Sequence, residues 1–237
     1  MVTGGSSGIG RALVAQLRSA GVTVVAIGRS EARLATLARE VPGTHVMAGD
    51  LSRPEELPAL AVRLVAAHPT VGCVINNAGM QHSVRFDDVD YTVRDIIGEL
   101  ATNLAAPLVL TRALLSHLQA QPSACVINVT SGLGFVPKGT AAVYSASKAG
   151  LHLFSQALRV QLATTNVRVV EAVMPLVDTP MTAGRGRRKL APADAARQLL
   201  DGVRAGRDDV YVGPARMLPL LQRWAPGVLA RVMQRGG

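Results

Sequence analysis

One stretch of this sequence decides its fold: Thr3-Gly-Gly-Ser-Ser-Gly-Ile-Gly10. It follows a β-branched residue and opens directly into an amphipathic segment, which is the position of a turn between a strand and a helix. Its glycines let the backbone turn tightly and bring bare amides and a helix N-terminus up to a pyrophosphate. An ordinary glycine-rich turn is the alternative, but the spacing favours a dinucleotide site. The residues expected to contact the cofactor here are Thr3, Gly4, Ser6, Ser7, Gly8, Ile9 and Gly10.

Beyond this turn, short β-branched runs alternate with longer segments of helical period. The predicted strands are residues 22–27, 45–48, 71–75, 125–129, 167–173 and 209–212. The predicted helices are residues 9–20, 31–40, 54–67, 91–118, 143–162 and 192–204, with Ser52 and Glu55 as a capping box before the third. The sequence Cys-Val-Ile-Asn occurs twice, at 73–76 and at 125–128. Two buried neighbouring strands would have the same packing requirements, which explains the repeat. Apolar strands that alternate with helices indicate a parallel sheet covered on both faces.

Composition bounds the class of protein. A chain of 237 residues fits one domain, and 49% hydrophobic residues with a mean hydropathy of +0.27 exclude a disordered protein. The net charge of +9 comes mainly from scattered arginines, and with only 3% aromatic residues the sequence has no interleaved basic and aromatic patch for nucleic acid. No signal peptide and no apolar run near the ~20 residues of a membrane span are present. Cys73 and Cys125 suit buried strands, so we expect a reduced, cytoplasmic protein without a metal site.

Three polar residues at a predicted strand end and on the next helix carry the candidate chemistry. Tyr144 and Lys148 share one helix face, where an ammonium can stabilise a phenolate whose pKa is near ~10 in water. Ser131 is placed to bond a substrate carbonyl while Tyr144 delivers a proton. The trio alone is weak evidence, because such a pair usually marks a solvated helix face. Together with a dinucleotide turn it indicates carbonyl–alcohol redox chemistry.

Further candidate cofactor contacts stand at the carboxyl ends of predicted strands. Arg29 occupies the place where a cofactor without a 2′-phosphate would need an acid, and its guanidinium suits that phosphate; a surface arginine is the alternative. Asp50 suits an adenine amino group and Gly79 permits close backbone approach, although either could be a turn residue. Asn103, inside the long predicted helix, fits a local distortion or a solvent-facing side chain. Leu51, Asn77 and Ala78, which are next to these positions in the sequence, are also expected to contact the cofactor.

Together these residues resemble those of the classical short-chain dehydrogenases/reductases, and the match spans nearly the whole chain. The words Asn-Val-Thr-Ser-Gly-Leu-Gly-Phe-Val-Pro at 128–137 and Val-Asp-Thr at 177–179 resemble the small bacterial oxidoreductases encoded with D-alanyl lipoteichoic acid genes. The resemblance implies a single doubly wound Rossmann-type α/β domain with a parallel seven-stranded sheet of order 3-2-1-4-5-6-7. Residues 1–130 would mainly bind the cofactor, 131–190 would supply catalytic and substrate segments, and 191–237 the last helix, strand and tail.

The same resemblance implies roles for individual residues. Ser131 would polarise the carbonyl, and Tyr144 would act as acid or base. Lys148 would also hold the nicotinamide ribose, and Asn103 would support a proton relay through water. The cofactor would further be contacted by Tyr144, Lys148, Pro175, Val177 and Thr179.

Two features depart from the family pattern. Pro175-Leu176 stands where the family has a Pro-Gly pair that docks the nicotinamide carboxamide, and the leucine narrows the pocket. Only Met1 and Val2 precede the glycine motif, so the first strand, which would be central, is truncated. We therefore expect the native chain to begin several residues upstream, with a β-branched run leading into Val2.

Three segments are expected to select the substrate: residues 80–83, 132–138 and 176–188. Most side chains of these segments are small and apolar, which predicts that the substrate is a small apolar carbonyl compound or alcohol. His82 could act as a base, but a lone loop histidine is more often solvated. The basic run 184–189 could hold an anionic substrate, but a mobile solvated loop is the favoured interpretation.

The tail at residues 217–233 carries apolar residues at helical spacing. Such a stripe usually packs on its own domain or on a sister subunit. A membrane-surface role is disfavoured, because Pro219 and Pro226 interrupt any long helix.

We therefore predict an oxidoreductase that prefers NADP(H) to NAD(H) and transfers hydride between nicotinamide and a small carbonyl/alcohol substrate. The competing class is a non-catalytic dinucleotide-binding protein that senses redox state or acts as a scaffold. Such a binder would not require Asn103, Ser131, Tyr144 and Lys148 together, so these four residues favour the enzyme. We expect a homodimer or homotetramer, with no nucleic-acid partner and no membrane span.

Overall fold

Parallel strands form one sheet of order β3-β2-β1-β4-β5-β6-β7 in the computed structural model, which describes residues 1–186 and 188–235. The strands are β1 Val2–Thr3, β2 Val25–Gly28, β3 His45–Ala48, β4 Cys73–Asn76, β5 Ala124–Ser131, β6 Val167–Met174 and β7 Asp209–Tyr211. The predicted fold class and strand order are confirmed. The strand β1 is short, and the amide of Ile75 in β4 also donates to the Met1 carbonyl at 2.9 Å.

Helices cover both faces of this sheet. They are α1 Gly8–Ser19, α2 Glu31–Glu40, α3 Leu57–Ala67, α4 Val93–Leu100, α5 Ala106–Gln119, α6 Ala142–Gln161, α7 Pro192–Arg204, α8 Leu218–Trp224 and α9 Pro226–Arg235. One apolar cluster joins the sheet to α1, α2 and α7, and a second joins it to α3, α5 and α6. The carboxyl ends of the strands between these two layers are left free to form a site.

Some predicted boundaries differ from the structure for local reasons. The strand predicted at 22–27 begins later, because the Val22 amide still closes the turn after α1 by donating to the Leu17 carbonyl at 3.0 Å. The predicted capping box is wrong. The Ser52 hydroxyl donates to Asp50 Oδ1 at 2.7 Å, and a turn of 3₁₀ helix, Pro54–Glu56, without a side-chain cap, leads into α3 instead.

The helix predicted at 91–118 consists of three pieces. Between α4 and α5 lies a π-helical segment, Ala101–Ala105, which contains Asn103. A π-helical turn inside a helix commonly marks a functional site. The local distortion predicted at Asn103 is therefore confirmed.

A buried row of polar side chains crosses the middle of the sheet. The repeated Cys-Val-Ile-Asn words pair in register, so that Asn76 and Asn128 stand side by side. Asn76 Nδ2 donates to Asn128 Oδ1 at 2.9 Å, and Asn128 Nδ2 donates to the Ser155 hydroxyl on α6 at 2.9 Å. The row ties two strands to a helix in a region without access to water.

The tail packs on its own domain. Leu218 of α8 and Leu229 of α9 are buried against Val173 of β6, which agrees with the first of the two predicted arrangements. In the part of the chain that the structure describes, no helix is long and apolar enough to cross a membrane. The same residues contain no group of three His, Cys, Asp or Glu side chains able to hold a metal ion.

The asparagine row gives a stability prediction. We expect Asn128→Val to lower the free energy of unfolding by about 2 to 4 kcal/mol, because Asn76 and Ser155 lose a buried partner. The double variant Asn76→Val/Asn128→Val should lose less than the sum of the two single variants, since both members of one pair are gone. Urea denaturation of the four proteins measures this coupling, and strictly additive losses would contradict it.

Candidate active site

A cleft of about 490 Å³ opens at the carboxyl ends of the strands. Most of the residues predicted to bind a cofactor or substrate line this cleft. They are Gly4, Ser6, Ser7, Gly8, Ile9, Arg29, Asp50, Leu51, Asn77, Ala78, Gly79, Ser131, Tyr144, Lys148, Pro175, Val177 and Thr179. Three others, Thr3, Gly10 and Asn103, lie behind its wall and shape it from there.

The glycine turn forms one end of the cleft. Gly4 and Gly8 have φ angles of +64° and +51°, a backbone region that glycine adopts without strain. A Cβ on Gly10 would lie 2.2 Å from the Gly4 carbonyl oxygen, so Gly10 is needed to close the turn and does not face the cleft. In the described structure no side chain caps the first amides of α1. The uncapped helix N-terminus therefore fits the pyrophosphate of a dinucleotide.

Thr3 acts on the neighbouring strand end instead of facing the cleft. Its buried hydroxyl accepts hydrogen bonds from the amides of Asn77 and Ala78, each at 3.0 Å. Asn77 Nδ2 also donates to the Thr3 carbonyl at 3.0 Å. These bonds hold the chain after β4 against β1, and so position the residues that do line the cleft.

Two arginines and one carboxylate occupy the end of the cleft near β2 and β3. Arg29 is exposed there, and Arg33, in the first turn of α2, lines the same space. Desolvation raises the pKa of Asp50, but hydrogen bonds from Ser52 and the charge of Arg29 outweigh it, so that this pKa lies below its usual range. Arg33 was not identified as a cleft residue from the sequence. Its position four residues after Arg29, at the start of a helix, could have indicated it.

The catalytic candidates lie at the opposite end of the cleft. Lys148 Nζ donates to the Val129 carbonyl at 2.8 Å and lies 5.8 Å from the ring centroid of Tyr144. Desolvation lowers the pKa of Lys148 to about 8. Burial raises the pKa of Tyr144, while the Ser131 hydroxyl and the charge of Arg185 act in the opposite direction. The phenol therefore lies beside the Ser131 hydroxyl and close to the cationic side chains of Lys148 and Arg185.

Asn103 joins the loop after β4 to α6. Its Oδ1 accepts from the Met80 amide at 2.9 Å, and its Nδ2 donates to the Met80 carbonyl at 2.8 Å and to the Ser147 hydroxyl at 3.2 Å. Gly79 separates this amide from the cleft. A Cβ on Gly79 would lie 3.1 Å from Asn103 Oδ1 and 3.7 Å from Lys148 Nζ. Asn103 thus holds the backbone next to Lys148, the candidate catalytic lysine.

A buried carboxylate stands near this site, although no sequence pattern drew attention to it. Glu99 accepts a hydrogen bond from the Tyr91 hydroxyl at 2.8 Å and lies 3.4 Å from His82 Nδ1. His82, expected to be solvated, is half-buried and partly exposed, because its ring lies against this acid. The position of Glu99 four residues before Asn103 on one helix was the only signal in the sequence.

Comparison with known proteins shows the family of this chain. A family model described as short chain dehydrogenase matches residues 1–189. The chain belongs to the short-chain dehydrogenases. It is 35% identical to the uncharacterized oxidoreductase DltE of Bacillus subtilis, over 89% of this chain and 86% of that protein. It is 34% identical to an uncharacterized oxidoreductase of Staphylococcus epidermidis, over 80% of this chain and 83% of that one. The predicted kinship with oxidoreductases of the D-alanyl lipoteichoic acid gene clusters is confirmed by the first of these.

Solved structures of this family have the same fold. A short chain dehydrogenase from Burkholderia cenocepacia, in complex with NADP, superposes with a TM-score of 0.86 at 26% identity, covering 98% of this chain and 95% of that one. A short-chain dehydrogenase from Sphingobium yanoikuyae, in complex with NADPH, superposes with a TM-score of 0.83 at 25% identity, covering 100% and 96%.

The buried lysine of this short-chain dehydrogenase gives a prediction with a definite sign. The folded pKa of about 8 lies below the ordinary 10.5, so burying the ammonium costs stability below pH 8, and that cost is relieved as the pH rises toward 10.5. At ~1.4 kcal/mol per pKa unit, and allowing for the lost bond to Val129, Lys148→Met should raise the free energy of unfolding by about 1 to 3 kcal/mol at pH 7.

Urea denaturation of the cofactor-free protein at pH 7 and at pH 10 measures this effect. The gain from Lys148→Met should shrink at the higher pH, where the wild-type lysine is largely neutral in the folded state. Lys138→Met removes the same charge from a less buried site and should change the free energy by less than ~0.5 kcal/mol at either pH. A gain independent of pH would contradict the assignment.

Proposed function

We propose that this short-chain dehydrogenase transfers hydride between NADP(H) and a small carbonyl or alcohol substrate, with Tyr144 as the acid or base. The observation that carries the proposal is the convergence of Tyr144, Ser131 and Lys148 at one end of a cleft whose other end is an uncapped helix N-terminus. Bound NADP(H) would supply or accept the hydride. Every other step falls to side chains of this chain.

In the direction of reduction, Ser131 donates a hydrogen bond to the carbonyl oxygen of the substrate. Tyr144 gives its phenolic proton to the same oxygen as hydride reaches the carbon, so that the carbonyl becomes an alcohol and the phenol becomes a phenolate. Lys148, whose pKa of about 8 lies near neutrality, stabilises that phenolate through its ammonium. The reverse direction uses the same groups with the proton returning to Tyr144.

Arg29 and Arg33 support a preference for NADP(H). They place two guanidinium groups in the cleft after β2, where a carboxylate would repel a 2′-phosphate. The dehydrogenases from Burkholderia cenocepacia and Sphingobium yanoikuyae, which were solved with NADP and NADPH, support the same choice. Asp50 is available to the adenine, and Lys148 to the nicotinamide ribose.

The walls around Tyr144 suit a small substrate. They carry Met80, Leu133, Leu176 and Met181, which leave an apolar and narrow space beside the phenol. Leu176 takes the place of the family's glycine. Its backbone is fixed by a hydrogen bond from the Leu190 amide to the Leu176 carbonyl at 3.0 Å.

A second copy of the chain is the partner we propose, because α4 and α6 leave the apolar side chains of Val93, Ile97 and Leu153 exposed.

The role of Tyr144 is tested by removing one oxygen atom. Tyr144→Phe should bind NADPH within a few-fold of the wild type and lose at least ~10² to 10⁴ in turnover, the usual worth of general acid–base catalysis. Tyr211→Phe, which removes a hydroxyl outside the cleft, should keep its turnover. Steady-state reduction of a panel of small ketones and aldehydes with NADPH provides the measurement. Unchanged turnover in Tyr144→Phe would refute the mechanism and favour a non-catalytic binding protein.

Cofactor preference is tested at Arg29. A charge-assisted bond to the 2′-phosphate, at roughly 1.5 to 3 kcal/mol, should favour NADP(H) over NAD(H) by about 10- to 150-fold. Arg29→Asp should reverse that order, while Arg63→Asp, the same charge reversal on the exposed side of α3, should leave it unchanged. Titration of nicotinamide fluorescence gives both affinities. Equal binding of the two cofactors by the wild type would count against the proposal.

A further inference from the structure

Arg185 lies beside the cleft, bonded to Met181, which is one of the residues that line it. It is half-buried, although its neighbours Gly184 and Gly186 are exposed. Its Nη1 donates to the Ser83 hydroxyl at 2.7 Å, and its Nη2 donates to the Met181 carbonyl. Ser83 belongs to the segment after β4 and Arg185 to the segment after β6, so the guanidinium joins the two segments that flank Tyr144. The basic run is therefore not a fully solvated loop at this residue.

The charge of Arg185 has no acidic partner among the described residues. Lys189, in the same segment, differs, because its Nζ lies 3.2 Å from Asp178 Oδ1. Desolvation lowers the pKa of Arg185, and its positive charge in turn lowers that of Tyr144. A partly desolvated guanidinium without a counter-ion is costly unless an anion joins it. The anion it would meet is a substrate group lying beside the catalytic phenol.

Glu99, a buried carboxylate near this segment, already has partners. It accepts hydrogen bonds from the Tyr91 hydroxyl at 2.8 Å and from the His82 amide at 3.3 Å. Among the described residues it makes no ion pair with Arg185, so it does not neutralise that guanidinium.

We propose that Arg185 binds an anionic group of the substrate, so that the substrate is a small oxo or hydroxy compound with a carboxylate or phosphate close to its reacting carbon. The planar guanidinium fork matches both anions. The rest of the wall is apolar, so the remainder of the molecule is a short hydrocarbon. This inference rests on the proposed carbonyl–alcohol function and names the substrate class for it.

Two other roles for Arg185 predict different behaviour. A latch that only closes the entrance through Ser83, or a cation that only stabilises the Tyr144 phenolate, would serve charged and neutral substrates alike. An anion-binding residue serves the charged substrate alone. The comparison must therefore use pairs of compounds that differ only in charge.

Binding is measured first, without turnover. The wild type, loaded with NADP⁺, is titrated by calorimetry with isovalerate, isovaleramide and isobutyl phosphate. At least one anion should bind 10-fold or more tightly than the amide, and the stronger of the two identifies the anion. Arg185→Gln should lose that preference, and Arg185→Lys should keep part of it. Arg207→Gln, the same charge change on an exposed residue just before β7, at the amino ends of the strands, should retain it. Equal binding of anions and amide by the wild type overturns the proposal.

Turnover is then measured with NADPH and 4-methyl-2-oxopentanoate or its methyl ester. Arg185→Gln should reduce kcat/KM for the acid at least 10-fold, mainly through KM, and leave the ester within about two-fold. Equal losses for acid and ester would overturn the anion site and leave the oxidoreductase function standing. An anion site seen by calorimetry, with no carbonyl compound turned over, would support the site and refute the proposed function.

Discussion

The turn between β1 and α1 closes only because position 10 has no side chain. With Gly10 against the Gly4 carbonyl, the chain reverses within a few residues and brings Thr3 beside the end of β4. The Thr3 hydroxyl then holds the amides that lead to Gly79, and Gly79 lies between Asn103 and Lys148. One steric condition at the glycine turn thus reaches Lys148, the candidate catalytic lysine, through a short series of direct contacts.

A parallel sheet covered on both faces could be predicted from the sequence because its signals are local. Alternating apolar strands and helices, the glycine turn and the repeated Cys-Val-Ile-Asn words each express a short-range constraint, and the register of β4 with β5 agrees with them. The strand order was expected from the family resemblance alone, and the structure confirms it. The errors have the same origin. The Ser52 hydroxyl could cap a helix or bind Asp50, and only the path of the chain after β3 decides between the two.

The candidate site was less predictable where charges from distant segments meet. Tyr144 and Lys148 share one helix and were found by their spacing. Arg185 and Glu99, whose opposite charges both reach the phenol, come from separate segments that no periodicity connects. The run 184–189 was weighed as an anion site in the sequence, but a solvated loop was favoured, and Glu99 was not singled out. Sequence reasoning therefore found the candidate reacting groups but not the contacts that bring these charges near them.

The π-helical segment at 101–105 also changes the phase of a long helix. An α-helix turns by about 100° per residue, so one extra residue in a turn rotates everything before it relative to everything after it. The half after the insertion, α5, can keep Leu110, Leu114 and Leu118 against the sheet. The half before it is free to direct Glu99 toward the Tyr91 hydroxyl and His82, although in a regular helix both halves would share a single apolar stripe. The inserted residue thus lets one half of the helix pack on the sheet while the other half places a polar side chain near the candidate site.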